Sequence, residues 1–497
     1  MPYIALLPFA TSILASNTDP LPWDTGRQAT GLDQWLRRSE SSSNSSTPTQ
    51  GWTSQPNGRG TIDIIWSCVF TIFLCSWSVL CVNVPAKTDK QWTILWRRLY
   101  LTGLGVLAPE VILQAALGQR LSAARSVKAF SVSAEGLGTS ARAAWTLNHG
   151  FFADMGGFVL HTSDGSQFPI NAKQLHYLVT KSYIALPAIT KEDIQDKNKV
   201  DPLLRVITVA QILWFVLSCI ARVAQNLAVT TFELTTIGFI FCTLGTHICW
   251  AHKPADVNVP VMLHCDTPMT QIRREAGLPG AAPPKDLTPL DFVSREAWVW
   301  SAWWLFALKA LRSVTGIDFH QDSRPISRMP NDDWPCLPPL AIVGVGFFDM
   351  TYAAIYVSGW NLWFQTDTER ILWRVSTTVI LAAFAAFLLL YALLSALPCL
   401  RRTLAAVRGR ACASRRKLAA HISRRTGGVQ THRSADAVAT AKQSFHLPVP
   451  VAVCFTAVAF VYMLARAYIL LECCLVLRQL PATAYETVDW AGLLPHV

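Results

Sequence analysis

Residues 203–224 read LLRVITVAQILWFVLSCIARVA, and after a short connection residues 232–252 read FELTTIGFIFCTLGTHICWAH. Each stretch supplies the ~20 apolar residues that cross ~30 Å of hydrocarbon. Lipid offers the backbone no hydrogen-bond partners, so such stretches must be helices that close their own bonds. Five more stretches qualify: 62–84, 99–117, 338–363, 372–397 and 449–477. Trp96, Trp250, Trp360, Trp363 and Trp373 stand near their ends, as interfacial tryptophans do. Lys253-Pro254 closes the fourth stretch, because proline cannot continue the helix ladder. The longest, 449–477, must tilt, kink or protrude. The expected fold is all-α, a polytopic transmembrane bundle of seven or eight spans, with the lipid bilayer of an endomembrane or plasma membrane as its first partner.

Composition agrees. Hydrophobic residues make up 51% of the 497 and charged residues 15%, where roughly 25% charged is usual for soluble domains. The net charge of +11 is concentrated between Pro398 and Leu447, where eleven Arg or Lys residues face Asp436 alone. With the rest nearly neutral, nucleic acid is not an expected partner. In the basic loop Leu404, Val407, Ala411, Leu418 and Ile422 recur at helical spacing. Residues 401–425 therefore read either as a cationic amphipathic helix on anionic lipid or as a tether that fixes orientation. Cys68, Cys75, Cys81, Cys219, Cys242, Cys249, Cys454, Cys473 and Cys474 lie in apolar runs, where Cys acts as a small hydrophobe. No CxxC pair or His/Cys cluster has zinc spacing, so neither metal nor cofactor is expected.

Residues 1–15 suit a signal peptide, and 16–61 form a disordered polar N-terminal ectodomain holding the sequon Asn44-Ser45-Ser46, a glycosylation site if exported. The main bundle spans 62–397 and contains the polar segment 118–202. In that segment Thr190 is expected to cap a juxtamembrane helix with Asp193 at its third position. Segment 253–337 is rich in proline and arginine apart from AWVWSAWWLFALKAL at 297–311. The basic cytoplasmic loop 398–448, the last span 449–477 and a tail, 478–497, complete the chain.

Orientation poses a conflict. Loops rich in Lys and Arg stay in the cytosol, which claims both 398–447 and 85–98, the latter with Lys87, Lys90, Arg97 and Arg98 against Asp89. Five spans lie between the two loops, and an odd number puts them on opposite sides. An eighth crossing at 297–312 removes the conflict, although the same tryptophans suit a helix lying flat in the interface. Residues 143–162 are a poorer candidate because Asn148, His149 and Asp154 are costly in lipid. The resulting expectation is eight spans, with the amino terminus and 118–202 outside.

Ionisable residues within spans are the candidates for chemistry. Glu110 follows Pro109 in LAPE, where a freed carbonyl and a carboxylate could bind a cation or proton. Asp349 and His247 lie well inside spans, and Arg466 and Glu472 share the last one. A polar seam through Glu110, His247, Asp349, Arg466 and Glu472 is the sharpest expectation, with Glu110, Asp349 and His247 as catalytic candidates and Arg466 and Glu472 as binding candidates. Glu233 and Asp63 at span starts read as helix-terminal acids, and Arg222 as a residue reaching for the interface. The sequence has no GxSxG, P-loop, HExxH or aspartate-rich prenyl motif.

The segments GWTSQPNGRGTIDIIWSCVFTIFLCSWSVLCVNVP (51–85), LAPE (107–110), WTLNHGFFADMGGF (145–158), ITKEDIQDKNKVD (189–201), QILWFVLSCIAR (211–222), HKPADVNVP (252–260) and GWNLWFQTDTERILWR (359–374) resemble a large family of fungal multi-pass membrane proteins without assigned activity. The resemblance implies a signal, a short polar ectodomain and a helical bundle. Some members lie beside specialised-metabolite genes, and none brings catalytic residues to carry over. The basic loop and the 297–311 patch depart from it. Two readings follow: a non-enzymatic sensor, scaffold or transport-associated component, or a membrane-embedded cyclase or isomerase acting on a lipophilic isoprenoid or polyketide.

Overall fold

The computed structural model describes residues 48–54, 58–137, 145–199, 202–283, 286–294, 324–331, 337–393 and 449–490, with short pieces of 303–313. The 1–15 signal, Asn44, the 401–425 helix and most of 297–312 lie outside the described residues.

The bundle is built from α1 (Thr61–Trp77), α2 (Gln91–Leu107), α3 (Pro109–Leu137), α7 (Pro202–Ala224), α8 (Thr231–Cys249), α11 (Pro339–Val357), α12 (Asp367–Leu393) and α13 (Val449–Leu475). Five stretches are long and apolar enough to cross a membrane: Val206–Ala224, Thr231–Cys249, Pro339–Asn361, Asp367–Leu393 and Val451–Arg478. Helix α1 is shorter but apolar.

The expected span 99–117 is not one helix. It breaks at Ala108, and α2 and α3 meet at 113°. Pro109 cannot donate to the α2 ladder, but it suits the first position of a new helix. Side-chain contacts show where this break lies. Arg98, midway along α2, stacks on Trp77 at the end of α1. Leu107 at the end of α2 meets Arg466, halfway along α13. Helix α3 then runs back, its Gln119 reaching Trp250 and Lys253 past the end of α8. The pair therefore enters from one end of the bundle, turns in its middle and leaves by the same end.

The other helices run from end to end. At the first end, β1 (Thr49–Gln50) pairs antiparallel with β5 (Leu480–Pro481). Part of the segment expected to be disordered is thus anchored on the C-terminal tail. Arg59 meets Glu233 there at 2.5 Å, and Arg222 reaches Thr483 and Ala484. This end therefore gathers the start of α1, the α7–α8 turn, the α11–α12 turn and the end of α13. The opposite end gathers 78–90, the return of α3, the start of α7, and the ends that flank 394–448.

At that opposite end sits a small α/β head, which departs from the all-α expectation. Strands β2 (Phe158–Thr162), β3 (Gln167–Ile170) and β4 (Val261–Cys265) form a sheet in the order β3-β2-β4, with β2–β3 antiparallel and β2–β4 parallel. Phe158, Leu160, Phe168, Ile170 and Cys265 point from it into a core shared with α4 (Leu147–Asp154), α5 (Ala172–Thr180) and α9 (Met269–Glu275), against which Phe292 of the short α10 (Asp291–Ser294) packs. Residues 143–162, weighed as a crossing, contain α4 and β2 and do not form one long helix. Gly150 lets α4 lie directly on α3: a Cβ there would sit 2.7 Å from Ser126 Oγ and 2.9 Å from Ala123 Cα. The short α6 (Lys191–Asp196) opens as expected, with Thr190 Oγ1 accepting from the Asp193 N–H. The described part of segment 118–202, expected on the same side as the amino terminus, lies at the end of the bundle opposite residues 48–54 and 58–60, because the chain turns back at Ala108.

Candidate functional site: the break in the bundle

A helix that stops in mid-bundle leaves carbonyls unsatisfied, and one that starts there leaves N–H groups. Here a fully buried arginine meets the first need. The Arg466 side chain donates from Nε to the Leu107 carbonyl at 3.2 Å and from Nη1 to the Tyr356 hydroxyl at 2.5 Å. Its guanidinium lies 5.1–5.7 Å from the ring centroids of Phe239, Tyr352 and Tyr356. A cation at the C-terminus of α2 is favourable to the helix dipole, as is Glu110 in the first turn of α3. One Glu110 oxygen accepts from the Tyr462 hydroxyl at 2.6 Å. Tyr462 stands one turn before Arg466, so α13 presents both partners on one face. Glu110 Oε2 and Arg466 Nη2 are buried without a hydrogen bond.

Asp349 joins this cluster through Gln114, one turn after Glu110, whose amide lies 3.1 and 3.2 Å from its two oxygens. Tyr352 and Tyr356 continue the Asp349 stripe along α11, their hydroxyls 3.2 Å apart. Gly238 makes room for them: a Cβ there would lie 2.8 Å from the Tyr356 hydroxyl oxygen.

The structure thus brings Glu110, Arg466 and Asp349 together and leaves out the other two seam residues. His247 lies in the last turn of α8, and helix rise puts it about 12 Å along the axis from the level of Phe239. Glu472 accepts from Tyr468 at 2.9 Å beside a separate group in which Arg478 bonds Glu369. The space bordering the break, between Cys75, Gly105, Pro109 and Thr243, is a cavity of about 10 Å³, the room of one water at most. Among the described residues no group of His, Cys, Asp and Glu could hold a metal ion.

Two buried cations escaped the sequence reading. Arg222, expected to reach for the interface, is 2% exposed and donates to the carbonyls of Ala228, Thr483, Ala484 and Glu486. Four carbonyls inside take the place of the water it was expected to reach. Lys253, read as a helix stop, is 4% exposed. Its ammonium reaches Cys81 O at 2.8 Å, Gln119 Oε1 at 2.9 Å and Asn83 Oδ1 at 3.4 Å, and lies over the Trp250 ring. Burial pushes its pKa down to about 8. Glu233 and Asp63 are helix-terminal acids as expected, accepting from the Thr230 and Gly60 N–H groups at 2.8 Å each.

The profile of a family described only as a family of unknown function, DUF8562, matches residues 32–272 and 342–497. The chain belongs to that family. The match covers the α1–α8 part of the bundle, most of the head and the last three helices. It leaves out 273–341 with the Trp-rich patch, and it runs through the basic loop. No curated protein and no solved structure gives a significant match.

Proposed function

We propose that the chain is an integral membrane protein in which α1, α7, α8, α11, α12 and α13 cross the bilayer, α2–α3 re-enters it, and the α/β head serves on the cytosolic face as a sensor or scaffold. The observation that carries this reading is the turn at Ala108. With α2–α3 returning to its own side, four crossings separate 85–98 from 394–448, and both basic loops share one side without an eighth span. Connections 225–230, 358–366 and 479–490 at the other end contain no Lys or Arg. The positive-inside rule then places the head in the cytosol and Asn44 outside it.

The packing around the break supports a mechanical rather than a chemical role. Glu110, Arg466 and Asp349 are held by Tyr462, Tyr356, Leu107 and Gln114, with a cavity of about 10 Å³ beside them. A lipophilic substrate needs a pocket of roughly 300 Å³ or more. Helix α3 continues from the break into the head, so one rod joins the two. Complementation tests the reading. In cells lacking the chain, Glu110→Gln and Asp349→Asn should restore the deletion phenotype in proportion to the protein present. Full abundance with no restoration by either variant would mean chemistry at the cluster, and would overturn it.

A further inference from the structure

A cavity of about 450 Å³, half open, lies outside the bundle between α3 and α5. Arg125 of α3 stands on one wall, and Lys173 and Lys181 on the other. No carboxylate is among its lining residues. Asp154 at the end of α4 accepts from the Ala172 N–H at 3.0 Å; burial pushes its carboxyl up, while the charges of Lys173 and Arg125 act on it in the opposite direction. Ser126 and Thr180 add hydroxyls, while Ala129 and Val293 give the cavity an apolar side.

Three cations around an apolar floor suit an anion carried on a hydrocarbon chain. Arg125 can take two oxygens of a phosphate in its planar fork, and the lysines act as point charges. Depth narrows the source. Arg125 is six residues beyond Gln119, which bonds Trp250 at the edge of the bundle. Helix rise converts that to about 9 Å, the level of lipid headgroups rather than of the hydrocarbon.

We propose that this cavity binds the phosphomonoester headgroup of an anionic phospholipid of the phosphatidate class, drawn from the leaflet beneath the head. The proposal rests on the membrane reading above and adds to it the ligand that a cytosolic head would sense. Because α3 carries Arg125 and Glu110, headgroup capture bears on the helix that starts at the break.

The test uses the full chain in detergent, titrated with short-chain phosphatidate, short-chain phosphatidylcholine or glycerol 3-phosphate and read by thermal melting. Phosphatidate is expected to raise Tm saturably, and the other two are expected to leave it unchanged. Lys173→Gln with Lys181→Gln should weaken apparent phosphatidate affinity about tenfold or more. If that pair melts lower than the wild type without lipid, Lys181→Glu alone, at an exposed position, should still weaken binding. An equal shift with phosphatidylcholine, or undiminished binding in the variants, overturns the site. A glycerol 3-phosphate shift equal to that of phosphatidate overturns the lipid source. Failure of the membrane reading looks different: the chain would stay monodisperse without detergent.

Discussion

Two helix pairs of this bundle have opposite geometry, and the pair that turns in mid-bundle is the less apolar one. Helices α7 and α8 are joined by 225–230 at the bundle end, whereas α2 and α3 are joined by Ala108 in its middle. Both turns leave carbonyls that helix ladders cannot use, and both give them to a buried arginine. Arg222 takes Ala228 O at the end, and Arg466 takes Leu107 O in the middle. They differ in what else surrounds the cation. Arg222 adds three carbonyls of the C-terminal tail, while Arg466 has the Tyr356 hydroxyl and aromatic faces. In each pair the buried cation sits where the turn sits, at the bundle end for Arg222 and in its middle for Arg466.

The largest effect should come from Arg466→Met, which strands the Leu107 carbonyl and leaves Glu110 without its cation. Removing one partner of a buried charged group costs about 3–5 kcal/mol, so detergent-solubilised protein should melt far lower or fail to accumulate. A second change, Glu110→Gln, should recover part of the loss in the same melting assay. Lys253 comes next, through pH. Its folded pKa of about 8 lies below the ordinary 10.5. Between those values the unfolded chain binds more protons, so stability should rise with pH. The full rise is about 3 kcal/mol from the shift, and Lys253→Met should flatten the slope of Tm between pH 8 and 10. Arg222→Met should cost about 2 kcal/mol through unsatisfied carbonyls. It should also free residues 479–490 for proteolysis before the bundle melts, which separates the end turn from the middle one. Asp349→Asn should cost about 1 kcal/mol or less, because a neutral amide can still bond Gln114. A larger fall in Tm would mean that its charge helps to hold the cluster at the break.

Five long apolar helices were legible because lipid imposes a minimum length, and 203–224 and 232–252 lie within a few residues of α7 and α8. The turn at Ala108 was not legible. Proline and glutamate after LA signal a kink as readily as a reversal, and the residue that permits reversal is Arg466 on the last helix. The head was hidden for another reason. Its strands have four or five residues each, and β2 pairs with β4, about a hundred residues further on. Of the polar seam, the residues that converge are the two acids beside the break and the arginine that caps it. His247 and Glu472 were drawn in only because depth along a span is visible in sequence while helix facing is not. Lys253 was lost behind Pro254, whose helix-stopping role explained the dipeptide too soon.

Sidedness of the 163–166 turn in the head tests the re-entrant pair most directly. Glycosylation acceptors are placed singly in that turn and in 85–90, on chains that keep Asn44. Both engineered sites should remain unmodified while Asn44 carries a glycan, because the turn at Ala108 keeps both segments on one side. A glycan on the 163–166 acceptor, with 85–90 unmodified, would mean that α2 and α3 cross the bilayer as a continuous span.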